Sequence, residues 1–391
     1  MINKIKALAT NYFPEVIGIR NHLHAHPELS FEEKETSDFI SAELTKKGIE
    51  HERNWGGHGI VVNLVNDPSF PTIALRADID ALPIQEENDV PYKSKNAGVM
   101  HACGHDVHSS SMLGTVFILN DLGKETGKNF KIIFQPAEEK LPGGASILIK
   151  EGVLENPKPA TILGQHVHPI LAAGKVGFRP GLYMASADEI YMTIRGKGGH
   201  AAIPHENIDT VLMASSIIVN LQQVVSRRSN PTIPTVLSFG KINSIGGATN
   251  IIPDEIKIEG TFRTMDEEWR AKANGIIEKL AREIAESMGG VCEIEIMKGY
   301  PCLINEVKST EAARQAAQAY LGEENVVELP IRMTSEDFAF YTQKIPACFY
   351  RLGTGNVAKG ITSSVHTPTF DIDEDSLRIS SGLMAYIAIN Q

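Results

Sequence analysis

The chain has 391 residues with 42% hydrophobic content, enough for one large domain or two of ordinary size, each with a true core. Its net charge of −11 is spread along the sequence rather than gathered in a tail, which argues against nucleic acid or an anionic membrane as the main partner. No apolar run reaches the ~18 residues of a membrane span. The charged start Met1–Lys6 has no apolar stretch followed by a cleavage site, so a cytoplasmic protein is expected.

In chain order, a helical pattern runs from about residue 5 to 26 and stops at His26-Pro27. The apolar runs Gly59–Val65, Thr72–Leu75, Phe130–Phe134 and Ala160–Leu163 read as buried strands, alternating with helical stretches at 107–122 and 143–151. That alternation is the signature of an α/β domain with a mixed, largely parallel sheet flanked by helices. Between 186 and 298 the texture changes to strand, helix, strand, strand, helix, strand. The elements are Glu189–Arg195, Ile208–Arg228, Thr235–Ile242, Glu255–Arg263, Asp266–Met288 and Val291–Met297. This βαββαβ order is ferredoxin-like. Ala347–Leu352 and a helix at 375–389 resume the earlier style, so the expected domains are 1–185 with 299–391, and an inserted 186–298.

Polar residues cluster directly after the α/β strands, where open α/β sheets place their ligands. Asp78 and Asp80 follow the second strand, Glu138 and Glu139 the third, His166 and His168 the fourth. Met100–Asp106 packs Cys103 between His101 and His105, and Cys with neutral His suits borderline divalent metals. Adjacent Glu138 and Glu139 point in different directions, so one can hold a metal while the other moves a proton. His22, His24 and His26 alternate on a helix, and because residues two apart do not share a face a joint metal site is not expected there. Cys292, Cys302 and Cys348 sit in apolar strand-like surroundings and read as reduced core thiols.

These motifs together resemble the M20 metallopeptidase superfamily in its amidohydrolase branch, which includes hippurate hydrolases, N-acetyl-amino-acid deacetylases and auxin-conjugate hydrolases. The resemblance rests on His24-x-His26-Pro27-Glu28-Leu29, Arg76-Ala-Asp78-x-Asp80-Ala-Leu-Pro83, Met100–Asp106 and Gln135-Pro-Ala-Glu138-Glu139. Gly198-Gly199-His200-Ala201, Asn250-Ile-Ile-Pro253, Gly260-Thr-Phe-Arg263, Ser335-Glu336-Asp337-Phe338 and His366-x-Pro368 extend it over nearly the whole chain.

The resemblance implies two divalent ions per subunit, zinc or manganese first and nickel or cobalt next. Cys103 would bridge them, and His105, Glu139, His166 and His366 would complete the ligands. Glu138 would be the general base, oriented by Asp80. His200 would polarise the scissile carbonyl, and Asn250 and Arg263 would bind a substrate carboxylate. The inserted domain would act as lid and as the interface of a homodimer or higher oligomer. His168 stands where relatives often carry Asp, Asn or an aromatic residue, and would line the acyl pocket or compete as a ligand. His166 is preferred because it lies nearer the strand end.

The expected activity is hydrolysis of a small-molecule N-acyl-L-amino acid to a carboxylate and a free amino acid. A small-peptide hydrolase on the same fold is the alternative. A thiol hydrolase with Cys103 as nucleophile, and a non-catalytic metal-holding protein, complete the possibilities.

Overall fold

A computed structural model describes residues 1–391. It forms two compact units. One comprises Met1–Tyr183, Ile304–Pro330 and Asp337–Gln391, the other Met184–Leu303 and Ile331–Glu336. No helix is long and apolar enough to cross a membrane.

The chain opens with α1 (Ile2–Ala25), α2 (Lys34–Lys46), β1 (Glu52–Trp55), β2 (Gly59–Leu64), β3 (Thr72–Asp78), α3 (His105–Leu122) and β4 (Asn129–Gln135). It continues through α4 (Gly144–Glu151), β5 (Thr161–Ala172), β6 (Val176–Phe178) and β7 (Gly181–Met184). Next come β8 (Asp188–Arg195), β9 (Gly199–His200), α5 (Thr210–Leu221), β10 (Thr235–Ile245) and β11 (Ile251–Ile252). Then follow β12 (Glu255–Thr264), α6 (Glu267–Ser287) and β13 (Val291–Lys298). The last stretch holds β14 (Leu303–Asn305), α7 (Val307–Leu321), β15 (Val326–Glu328), α8 (Ala339–Thr342), β16 (Ala347–Gly355) and α9 (Asp375–Ile389).

The first unit is built on an eight-stranded sheet in the order β1-β2-β4-β3-β5-β16-β6-β15. Its centre is parallel, with β4, β3, β5 and β16 running together. β1, β2 and the β16/β6 junction are antiparallel, so the sheet is mixed and largely parallel, as the sequence pattern predicts. β3, β4 and β16 are buried at every position, the pattern of a sheet covered on both faces. α1, α3 and α9 pack on one another, with Val16, Leu113, Phe117 and Leu383 in the core between helices and sheet.

Two departures from the sequence reading concern the site. β5 does not end at Leu163 but runs twelve residues to Ala172, so His166 and His168 lie within the strand rather than after it. Its partner β3 matches it only from Thr161 to Gly164, whereas β16 stays paired as far as Ala172. The far half of β5 therefore projects past the end of β3, and side chains on it stand where a loop residue would. In addition, α2 and α7 have no counterpart among the elements read from the sequence.

The second unit has a four-stranded antiparallel sheet in the order β10-β12-β8-β13, with α5 and α6 contributing to its core. β8 alternates strictly, burying Ile190, Met192 and Ile194, and β12 buries Ile256, Ile258 and Phe262, as the period-two pattern requires. Asp266 caps α6 by accepting from the Trp269 amide. α5 is shorter than the predicted 208–228 helix: it ends at Leu221, and a separate wide turn follows at Val224–Arg228.

Candidate metal centre

The ligand-type residues of the first unit arrive from separate elements at the carboxyl edge of its sheet. Asp78 ends β3, Glu138 and Glu139 follow β4, and His166 stands on the projecting half of β5. Cys103 precedes α3, and His105 is its first residue. Gly104 between them has φ 81°, and a Cβ there would lie 2.6 Å from a Val167 methyl, so only glycine lets Cys103 and His105 turn to the same point. His366 comes from the loop before α9 and is anchored by its amide donating to Ala102 O at 2.8 Å.

The side chains converge. Cys103 Sγ lies 3.3 Å from His166 Nε2 and 3.3 Å from His366 Nε2. Glu139 Oε1 lies 3.4 Å from His366 Nε2 and 3.9 Å from His105 Nε2. Beside a cluster of His105 with Glu138 and Glu139, two groups of three ligand atoms, Cys103/His105/His166 and Cys103/Glu139/His366, each lie within 4.8 Å of one another. Both groups use the same sulfur.

The hydrogen bonds around these groups leave the converging atoms with lone pairs. His105 Nδ1 donates to Asp80 Oδ1 at 3.1 Å, and His166 Nδ1 donates to Val167 O at 2.8 Å, so a neutral ring at either position leaves its Nε2 as the acceptor. His105 Nε2 and Glu139 Oε1 are buried and accept no hydrogen bond. Such atoms cost about 1–3 kcal/mol each when left unsatisfied. Divalent cations would satisfy them, and a donor set of thiolate, imidazole and carboxylate fits such ions. His168 is in neither group, whereas His166 is in one.

Electrostatics sort the remaining groups. Burial opposes ionisation of Asp78, yet His105, His108 and Arg76 outweigh it and hold the carboxyl well below the ordinary range. Its partners are Arg76 Nη1 at 2.6 Å and His108 Nδ1 at 2.5 Å. His108 Nε2 in turn accepts from the Val167 amide at 2.9 Å, so His108 has no lone pair to offer a metal. Asp80 is likewise held ionised against burial, by His105, Ser30 and the Glu139 amide, which it binds at 2.9 Å. The Asp80 contacts therefore orient His105 and fix the backbone of the glutamate pair. Glu138 is buried, and its Oε1 accepts from the Asp337 amide at 3.3 Å.

His101 is also buried, and burial pushes its pKa down to about 4. His166 is driven well below the usual imidazole value by burial and by Arg351, which keeps it neutral. Cys103 goes the other way: burial, Glu139 and Glu138 push its thiol well up. The protein frame alone thus gives Cys103 no thiolate character, which counts against a thiol nucleophile.

The motifs contain Asp337, His24 and Asp106 but do not reveal the two supporting networks they build. Asp337 receives Arg76 Nη2 at 2.5 Å, Gln135 Nε2 at 2.7 Å and the Ala145 amide at 2.9 Å, tying β3 to β4. Arg20, His24, Glu86 and Asp106 form a buried ion network beneath the start of α3. Spacing along the chain does not reveal either, because most of their partners lie tens to hundreds of residues apart.

In the second unit, His200 ends β9 and Asn250 directly precedes β11, where Ile251 pairs with His200. Both are exposed, and the Asn250 carbonyl accepts from the Ala201 amide at 3.0 Å. Arg263, near the end of β12, is partly buried; its Nη1 donates to Met333 O at 3.1 Å and Ser335 Oγ at 3.3 Å. Both partners are neutral, so the guanidinium retains capacity for a carboxylate.

Comparison with known proteins gives these groups a family. Residues 74–390 match the model of peptidase family M20/M25/M40, and the chain belongs to that family. It is 39% identical over 364 residues to the N-acetyl-L-cysteine deacetylase of Bacillus subtilis, covering 93% of this chain and 85% of that protein. It is 35% identical over 393 residues to thermostable carboxypeptidase 2 of Saccharolobus solfataricus, covering 100% and 98%. Among solved structures, the Bacillus subtilis YXEP protein, described as a dinuclear metal-binding peptidase of the M20 family, superposes with a TM-score of 0.82. That match has 35% identity and covers 97% of this chain and 98% of that one. The protein is accordingly a metal-dependent hydrolase of this family.

Proposed function

We propose that the protein is a dinuclear metal amidohydrolase that cleaves N-acyl-L-amino acids to a carboxylate and a free amino acid. The observation that carries this reading is one sulfur, Cys103 Sγ, shared by two three-ligand groups beside the buried carboxylate of Glu138. Cys103, His105 and His166 would hold one ion, and Cys103, Glu139 and His366 the other. Zinc or manganese suits these donors, with nickel or cobalt as further candidates. Bound there, such a pair would supply an activated water and stabilise the developing oxyanion.

The chain's own residues would do the rest. Glu138 takes the proton of the attacking water and returns it to the leaving amine. Asp80 keeps His105 in the ligating tautomer, a role its 3.1 Å contact supports. His200 polarises the scissile carbonyl. Arg263, with neutral partners only, pairs with the substrate carboxylate alongside Asn250. We assign dimerisation to the second unit, supported by Leu212 and Val219 on α5, which are 56% and 70% exposed.

Hydrolysis of small peptides is the second reading, favoured by the likeness to thermostable carboxypeptidase 2. Metal analysis of the purified protein, coupled to rates on N-acetyl amino acids, N-benzoyl amino acids and dipeptides, separates the two. Preference for the N-acyl compounds supports the first reading, and preference for dipeptides replaces it with the second. A metal-free protein active on either overturns both.

A further inference from the structure

The motif that begins at His26-Pro27 and runs into α2 takes no part in the chemistry described above, yet it is strapped across the catalytic carboxylates. The Ala81 amide donates to Glu28 O at 2.8 Å, and Leu29 bridges Ala81 in parallel register. Ser30 Oγ donates to Asp80 Oδ2 at 2.6 Å. Three residues on, at the N-cap of α2, Glu33 is fully buried, and its Oε1 accepts from the Ala137 amide at 2.8 Å. Glu28 closes the strap on itself, accepting from the Glu35 and Thr36 amides at 3.1 and 2.7 Å.

Ala137 is the unusual partner. It is buried and has φ 54°, the left-handed region, without being glycine. That conformation costs about 1–2 kcal/mol for an L-residue and persists only where the surroundings impose it. Its carbonyl is tied as well, accepting from the Gly144 amide at 2.8 Å. The next two residues are Glu138 and Glu139, so the turn at Ala137 decides where both carboxylates point.

We infer that Glu33 is a positioning residue for the catalytic glutamates: by holding the Ala137 amide it fixes the left-handed turn that aims Glu138 and Glu139. The inference rests on the assignment of Glu138 as the base. A buried glutamate is a costly choice for a mere helix cap, and here its second oxygen, Oε2, is buried with no hydrogen-bond partner. Burial and the nearby Asp80 raise its pKa to about 7. Those features make sense if what matters is an acceptor of fixed length at Ala137 rather than a charge.

The test compares Glu33→Ala, Glu33→Gln and Glu33→Asp with Glu138→Gln, reading kcat and KM on the best substrate, metal content, and hydrogen exchange of the peptide spanning 136–144. Glutamine keeps an acceptor at the same reach; aspartate is one methylene short. The expected result is exchange at 136–144 faster by about tenfold or more in Glu33→Ala and Glu33→Asp, with kcat lower by about tenfold at unchanged KM and metal content. Glu33→Gln should restore both to within about threefold of wild type.

Wild-type exchange in Glu33→Ala, or a Glu33→Gln protein as impaired as Glu33→Asp, would overturn the inference. So would a loss of kcat that follows metal content with exchange unchanged. If Glu33→Ala does not fold, the Gln and Asp pair decides the matter alone. An active Glu138→Gln protein would sink the assignment of the base, whereas inactive Glu138→Gln beside a fully active Glu33→Ala would sink only the strap.

Discussion

His105 and Asp106 are neighbours in sequence and both wholly buried, yet they serve two polar clusters of opposite character. Asp106 faces cations. Its Oδ2 accepts from Arg20 Nε at 2.8 Å and His24 Nδ1 at 2.7 Å, while Arg20 Nη2 reaches Asp371 at 3.0 Å and His24 Nε2 lies 3.2 Å from Glu86. Arg20 also lies over the Tyr92 ring, 4.6 Å from its centroid. His105 faces lone pairs: Cys103 Sγ and Glu139 Oε1 turn toward the same space as its own unsatisfied Nε2. The contrast shows how to tell a framework from a site when both are built of His, Asp and Glu. In the framework, buried charges meet opposite charges, and in the site, acceptor atoms of thiol, imidazole and carboxylate converge into a donor set that fits a cation.

That distinction can be broken by experiment, and the largest effects belong to the converging cluster. Glu138→Gln should lower kcat by about 10²–10⁴-fold, the usual worth of a positioned base, without loss of metal or thermal stability. Prolonged chelation should abolish turnover altogether, and added zinc or manganese should restore it. Recovery without metal, or inactivation by thiol alkylation of a chelated and still active protein, would return Cys103 to the role of nucleophile.

The ion network should answer differently. Asp106→Ala leaves Arg20 and His24 buried without their shared carboxylate, and breaking such a pair costs about 3–5 kcal/mol. Urea unfolding should show that loss, while the folded fraction keeps its metal. A variant of unchanged stability that loses metal would erase the contrast.

Asp80→Asn lies between the two clusters in effect. It removes the carboxylate that selects the ligating tautomer of His105, so metal affinity should fall by about 10–100-fold in competition with a chelator. Unchanged affinity would show that the ring is oriented by other contacts.

The smallest effect is one of pH. Burial and Arg20 oppose a charge on His24, but Asp106 and Glu86, one at each ring nitrogen, outweigh them and raise its pKa. A raised pKa in the folded state means that the stabilisation is complete below the ordinary imidazole value of about 6.5 and is lost as pH rises through the folded value. The melting temperature of wild type should therefore exceed that of His24→Gln most on the acid side of neutrality, with the gap narrowing in alkali. A gap that widened with pH would mean His24 is neutral.

Much of the site was legible in the sequence because it is written locally. Cys103 and His105 sit two apart across a glycine at the start of a helix, and Glu138 and Glu139 are adjacent just after an apolar run that reads as a strand. The helix spacing sets His24 apart from its neighbours, and in the structure its ring nitrogens meet Asp106 and Glu86. It failed where pairing partners determine length: nothing in Ala160–Leu163 says that β5 continues to Ala172, because that depends on β16 staying beside it after β3 has stopped.

The sequence by itself determined the fold class, the mixed α/β sheet with its ferredoxin-like insertion, since period-two and apolar-run patterns are properties of short segments. Family membership was equally open to it, because the ordered motifs stand as they are in the chain. Only the tertiary structure shows that Cys103 Sγ lies within reach of two sets of ligand atoms, that His105 Nδ1 meets Asp80 Oδ1, and that the Glu33 carboxyl accepts from the Ala137 amide. Those facts are distances between residues far apart along the chain. Burial makes them matter, for in a dry interior every lone pair and every amide must find its partner.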